Sequence, residues 1–318
     1  VPNRPPAESP LKPRETAFFA PVADLPRLSI WHLFCRFDIA VVPGKQILYT
    51  NREHKSCSAK QRGKNTMAEN KTNLSLDALP VAIRDCVNDF AERLAAALTD
   101  NLRSITVVGS GLTADFKAGH SDINTVLVLG SQSLDSLNAV TGLAKPMSRK
   151  KLSPPLLMTS WHIERSRDVF GVEFLDFQLT HCTILGDDPF APLTFEKRDV
   201  RLQCERELKA MLIRLRQGYV AAAANKTLVR DVLISTAKGL APLLRAMLWL
   251  KDLERPPETE PTFRKAASAL SITTDPLIAA GKWRHEKVRL SESEMHRSFE
   301  SIYSTTEQLA GIVDNLEV

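Results

Sequence analysis

The chain has 318 residues, 43% of them hydrophobic and 25% charged, with 42 Lys and Arg against 37 Asp and Glu and a formal net charge of +5. That length and apolar share exclude a wholly disordered or fibrous polymer and suggest two domains with sizeable cores. The mild positive balance permits an anionic partner such as a nucleotide, or a nucleic acid, without demanding one, and without an uncharged apolar run of about 18 residues no membrane span is expected. The five cysteines, Cys35, Cys57, Cys86, Cys182 and Cys204, form no C-x-x-C pair and no zinc-ligand spacing. They read as reduced thiols of a cytoplasmic protein.

Residues 1–66 differ from the rest. They begin Pro-rich ("VPNRPPAESPLKP"), turn rich in Lys, Arg, Ser and Asn, and do not start with Met. They read as a disordered leader or a start-site artefact ahead of Met67. Next, Ile83, Val87, Phe90, Leu94 and Ala97 recur at three- and four-residue spacing, which predicts an amphipathic helix over 79–98, with Pro80 near its start. The β-branched runs "SITVVG" and "DINTVLVLG" predict two strands. A helix and the basic loop "KPMSRKK" are expected over 135–151, then a strand in "PLLMTS". The run "VFGVEFLDFQLTHCTIL" reads as one long strand, ended by the turn residues "GDDPFAP". Beyond residue 196 only helical periodicity remains: two long helices, the second holding Pro242, a Pro-rich linker, two shorter helices, and a last one opened by the capping box Ser291 and Glu294. The fold class expected is α/β (α+β): a domain with a small mixed sheet over 67–192, then an all-α bundle over 193–318.

The chemistry concentrates in "SITVVGSGLTADFKAGHSDINTVLVLG", residues 104–130. A triphosphate needs backbone N–H donors, a hydroxyl and the positive end of a helical turn, and Gly109 and Ser110 at a strand end offer these. Phosphoryl transfer also needs a divalent cation held by carboxylates. Asp122 and Asn124, two apart on a strand, share one face. A third acid would come from "VEFLDFQ", where Asp176 and Glu173 are candidates that face opposite sides of a regular strand; a carboxylate in that apolar run needs either a metal or a salt bridge to an Arg of the bundle. Trp249 and Trp283 read as core, and Arg201, Glu205, Arg206 and Lys209 as i,i+4 surface pairs on one helix.

Gly109-Ser110, eleven residues, then Ser121-Asp122-Ile123-Asn124 at the head of a strand resembles the nucleotidyltransferase superfamily of DNA polymerase beta and kanamycin nucleotidyltransferase, and its small bacterial members in particular. The resemblance implies a minimal nucleotidyltransferase domain. A nucleoside triphosphate would bind at Gly109, Ser110 and Ser121, and Asp122, Asn124 and Asp176 would hold magnesium. Asp122 and Asp176 would be catalytic in passing a nucleoside monophosphate to an unknown acceptor. Asn124 departs from the pattern, because an amide stands where an acid is expected and brings no charge. The alternative is therefore a catalytically inactive protein that keeps the fold for nucleotide binding, regulation or partner binding. A third reading takes Gly109, Gly111 and Ala114 as a G-x-G-x-x-A dinucleotide fingerprint of an NAD-type oxidoreductase, but no long helix and no ribose-binding acid follow at the required spacing.

Overall fold

The computed structural model describes residues 74–318 apart from 144–146, 148–149, 224 and 287. The expectation for residues 1–66 lies outside them, as do Cys35 and Cys57; Cys86, Cys182 and Cys204 are free thiols.

Pro80 leads into helix α1 (Val81–Leu98), whose Ile83, Val87, Phe90 and Leu94 form one buried face at the expected spacing. Strand β1 (Leu102–Val108) runs into a single 3-10 turn, Gly109–Leu112, and β2 (Asn124–Leu129) returns antiparallel to it, with Asn124 opposite Val108. Helix α2 (Leu134–Thr141) starts where the Ser133 hydroxyl accepts from the Ser136 N–H. Strand β3 (Leu156–Thr159) lies parallel to β2, and the short α3 (Ser160–Arg165) follows it. Helix α4 (Gly171–Leu179) then leads to β4 (His181–Leu185), antiparallel to β1. The sheet order is β3-β2-β1-β4, a small mixed sheet. At the β4 exit, Asp188 Oδ1 accepts the Phe190 and Ala191 N–H groups, and Asp188 Oδ2 meets His181 Nε2 at 2.7 Å.

Strand periodicity assigns the two faces. Ile105, Val107, Leu127, Leu129 and Ile184 pack beneath α1. Val108, Val126 and Val128 point the other way and meet Met158, Phe174, Phe177 and Phe190.

The long strand expected in "VFGVEFLDFQLTHCTIL" is corrected: its first half is helix α4 and only its end is strand. The cause is a helix covered on two sides. Phe174 and Phe177 face the sheet, while Val172 and Leu175 face the helices that follow. Apolar residues on both flanks fill the run almost continuously and erase the 3.6-residue signal. At Gly171 a side chain would sit 2.9 Å from Val200 Cγ2, so the glycine is what lets α4 approach its neighbour.

Helices α5 (Lys197–Ala222), α6 (Lys226–Leu250), α7 (Thr259–Leu270), α8 (Asp275–Lys282) and α9 (Glu292–Asp314) pack around one apolar cluster. Trp283 is buried in that cluster and Trp249 packs against it. Arg201 and Lys209 pair with Glu205 on α5 as expected, whereas Arg206 turns to Glu207. The central α6 touches α4, α5, α7, α8 and α9. By length and mean hydropathy (1.2) α6 passes as a membrane span, unlike anything expected from the sequence, but 67% of that stretch is buried in protein. A helix with partners on most sides must be apolar most of the way round.

The capping box of α9 is present: the Glu294 N–H donates to Ser291 Oγ at 3.2 Å, and the Ser291 N–H donates to Glu294 Oε2 at 2.8 Å. Ser291→Ala is expected to lower stability by about 1 kcal/mol. A urea midpoint equal to that of the unaltered protein would contradict this.

Candidate functional site

A cavity of about 440 Å³ opens between the loop joining β1 to β2, helix α4 and helices α6 to α8. Gly109, Ser110, Ser121, Asp122, Asn124, Asp176 and Glu173 all border it, so the positions singled out in the sequence converge in space. What they do there differs in several respects from the expectation.

Gly109 has φ 77°, a conformation that favours glycine, and its N–H donates to the Thr180 carbonyl at 2.9 Å. That donor ties the turn to the end of α4 and is not aimed at a ligand. Ser110 is exposed to the cavity, and its carbonyl accepts the Thr113 N–H. Ser121 is buried, and its hydroxyl accepts the Lys117 N–H at 3.0 Å while its own N–H donates to the Lys117 carbonyl. Ser121 thus closes the loop, with only its hydroxyl proton left to donate.

Three contacts fix this loop to the helical side. Asp115 Oδ2 accepts the Thr259 N–H at the start of α7, 2.7 Å away. The carboxylate there satisfies an orphan donor and faces the positive end of the helix. Arg284 Nη2 donates weakly to the His120 carbonyl, and the His120 and His285 rings meet edge-on with centroids 5.7 Å apart.

Ile123 anchors in the core beneath α1, which turns Asp122 and Asn124 to the opposite side, toward the cavity. Asn124 is buried; the Asp122 carboxylate has neither hydrogen bond nor ion pair among the described residues. Asp176 is otherwise engaged: Arg245 Nε and Nη2 donate to its two oxygens at 2.5 and 3.2 Å. Arg255, which donates to the Leu175 carbonyl, also feels the Asp176 charge. On a helix, Glu173 and Asp176 share a face instead of opposing one another, which corrects the strand-based geometry. Glu173 is 3% exposed, and its Oε2 accepts from Gln203 Nε2 at 2.6 Å, while Gln203 Oε1 accepts the Val172 N–H. Burial pushes the Glu173 carboxyl up to about 7, against the downward pull of the Gln203 bond.

The residues present do not fit the magnesium site that the resemblance implies. Asp122 offers one charge, Asn124 none, and Asp176 gives both oxygens to a guanidinium. Among the described residues no group of three or more His, Cys, Asp or Glu side chains could hold a metal ion. The dinucleotide reading fails on topology, since the Gly109 turn opens no helix and β1 and β2 are antiparallel, so no βαβ unit forms.

On the opposite wall, Lys238 and Arg284 escaped sequence reasoning. Lys238, Arg284 and Lys117 border the cavity, and none has an ion pair within 4.0 Å among the described residues. Lys238 meets water through the cavity, yet the protein enclosing it, then Arg284, push its ammonium below the usual lysine range, while Asp122 pulls it up. His285 is lowered by burial and then by Lys117, Arg284 and His120. One signal for this wall was in the sequence: Lys238 and Arg245 break an apolar helix seven residues apart, with Pro242 between them. Two helical turns place them on one face, and all three border the cavity.

No protein-family model matches the chain, and no curated protein matches it. Among solved structures it is similar to a spectinomycin adenyltransferase from Enterococcus faecialis, determined with ATP and spectinomycin, at 10% identity and a TM-score of 0.46 over 70% of this chain and 98% of that one. A likeness that distant leaves the activity to be argued from the chain's own residues.

Proposed function

We propose that this chain is a nucleotidyltransferase-like protein that binds a nucleotide in the cavity and does not carry out two-metal transfer. Residues 67–192 supply the Gly109 turn, and residues 193–318 supply the helical wall. The observation that carries this reading is the bidentate bond from Arg245 to Asp176, in a site whose second acid position is Asn124. Charge neutralisation dominates phosphoryl-transfer catalysis, so a site left with Asp122 as its one uncommitted acid has lost most of what the reaction needs. Binding needs less. The volume lies within the range of small-molecule sites, Pro242, Phe263 and Ile278 give an apolar surface for a base, and Ser110 and the Lys238 wall suit phosphates. Calorimetric titration of the full chain with each of the four ribonucleoside triphosphates, with and without magnesium, tests it. Saturable heat with at least one is expected, and none under any condition removes the reading.

A second reading, nucleotidyl transfer, has one observation in its favour, the uncommitted Asp122 carboxylate facing the cavity. It predicts release of pyrophosphate from a nucleoside triphosphate that Asp122→Ala abolishes. We expect no release above background from either protein.

A further inference from the structure

Resting on that nucleotide-binding reading, we propose that the cavity takes the phosphate chain without a divalent metal, with Lys238 and Arg284 supplying the counter-charge that a metal would otherwise bring. A polyphosphate must be neutralised wherever it binds, and at low water content the choice lies between a metal held by carboxylates and protein cations. The acid side of this site is depleted. Asn124 is neutral, Asp176 is paired with Arg245, Asp115 caps α7, and Glu260 bonds Arg264 and Lys282. The cationic side is in surplus, since Lys238, Arg284 and Lys117 face the same space with no ion pair among the described residues. His285 is lowered first by burial and then by Lys117, Arg284 and His120, so these positive charges bear on the same space. His285 also buries an Nδ1 that has no partner among the described residues. Such a wall repels a small dication and attracts an anion. Asp122, whose charge reaches Lys238 without an ion pair, offsets part of the positive charge.

The experiment is titration of the full chain with inorganic tripolyphosphate and each of the four ribonucleoside triphosphates, once in EDTA and once in excess magnesium chloride. Binding in EDTA is expected to be at least as tight as with magnesium, and tripolyphosphate is expected to compete with the nucleotide. Lys238→Met is expected to weaken binding in EDTA by about ten- to a hundredfold, the usual effect of deleting a hydrogen bond to a charged group, with Lys238→Arg retaining most of it. Binding that appears only with magnesium overturns the inference while leaving the nucleotide site standing, and so does full-strength binding in EDTA by Lys238→Met. No binding of any probe in either buffer overturns both. The comparison of the two buffers on the unaltered protein needs no variant to fold.

Discussion

Arg245→Met is expected to destabilise the protein by about 3–5 kcal/mol, the typical result of removing one partner from a buried ion pair. The two side chains are only 11% and 18% exposed, so an Asp176 carboxylate deprived of Arg245 cannot recover its lost solvation from bulk water. Arg255 lies near enough to feel Asp176 and would take over part of the role, which places the expectation at the lower end of that range. The double variant Asp176→Asn with Arg245→Met, which removes both members of the pair and leaves only Arg255 short of its nearby acid, should regain part of the loss. Urea unfolding of the four proteins of the cycle measures this coupling directly. A single-variant loss below about 1 kcal/mol would mean that the pair behaves as a surface bridge, and the case against Asp176 as a metal ligand would lose its energetic support. A thermal-stability series in magnesium adds an independent readout. If Asp176 were a ligand held in reserve, freeing it in Arg245→Met would make the variant gain more from magnesium than the unaltered protein does. We expect no such gain.

What could be read from the sequence follows from which signals are local. Helix α1, the β1 and β2 hairpin and the α9 capping box are each written within a few residues, as an apolar stripe, an alternation or a hydroxyl three residues from a carboxylate. That Ser110, Asp122 and Asn124 share one neighbourhood was also legible, through the spacing of the turn and the strand head, whereas Asp176 joins them from a helix and not from the strand expected. Helix α4 was not, because Val172, Leu175, Phe174 and Phe177 satisfy two different neighbours and the periodicity vanishes. For Asp176 the sequence left a metal and an Arg of the bundle as alternatives, and only the fold chooses the Arg. Its partner lies 69 residues further along, on α6, which only tertiary packing brings against α4. The same holds for Asp115, whose loop position gave no hint that it would cap a helix 144 residues away. The motif therefore picked out residues that border one cavity, but not the partners of their charges. Charge assignment depends on partners that only the assembled fold brings together.

Glu173→Gln is expected to stabilise the protein at neutral and higher pH and to leave it unchanged in acid. The direction follows from linkage. Burial raises the folded carboxyl from the ordinary 4.5 to about 7, so between those values the folded state holds a proton that the unfolded state has lost. Stability contributed by the neutral group is fully present below 4.5, falls as pH rises through the interval, and is gone above about 7. A gap of that size corresponds to about 3 kcal/mol at most. A glutamine keeps an acceptor for Gln203 Nε2 and never ionises, so it should escape this loss, and other titrating groups cancel when the two proteins are compared. Urea unfolding at about pH 4 and about pH 8, chosen to bracket both values, should give equal stabilities in acid and a clear advantage for the variant in base. Equal stabilities at both would show that the ionised carboxylate finds compensation within the protein. The same titration bears on binding, since Glu173 borders the cavity. Its ionised form adds a negative charge to a site proposed to hold phosphates, which should weaken anion affinity as pH rises through 7, and Glu173→Gln should flatten that part of the binding profile. A binding profile that keeps its slope in the variant would assign the pH dependence to His285 or to the ligand's own phosphates instead.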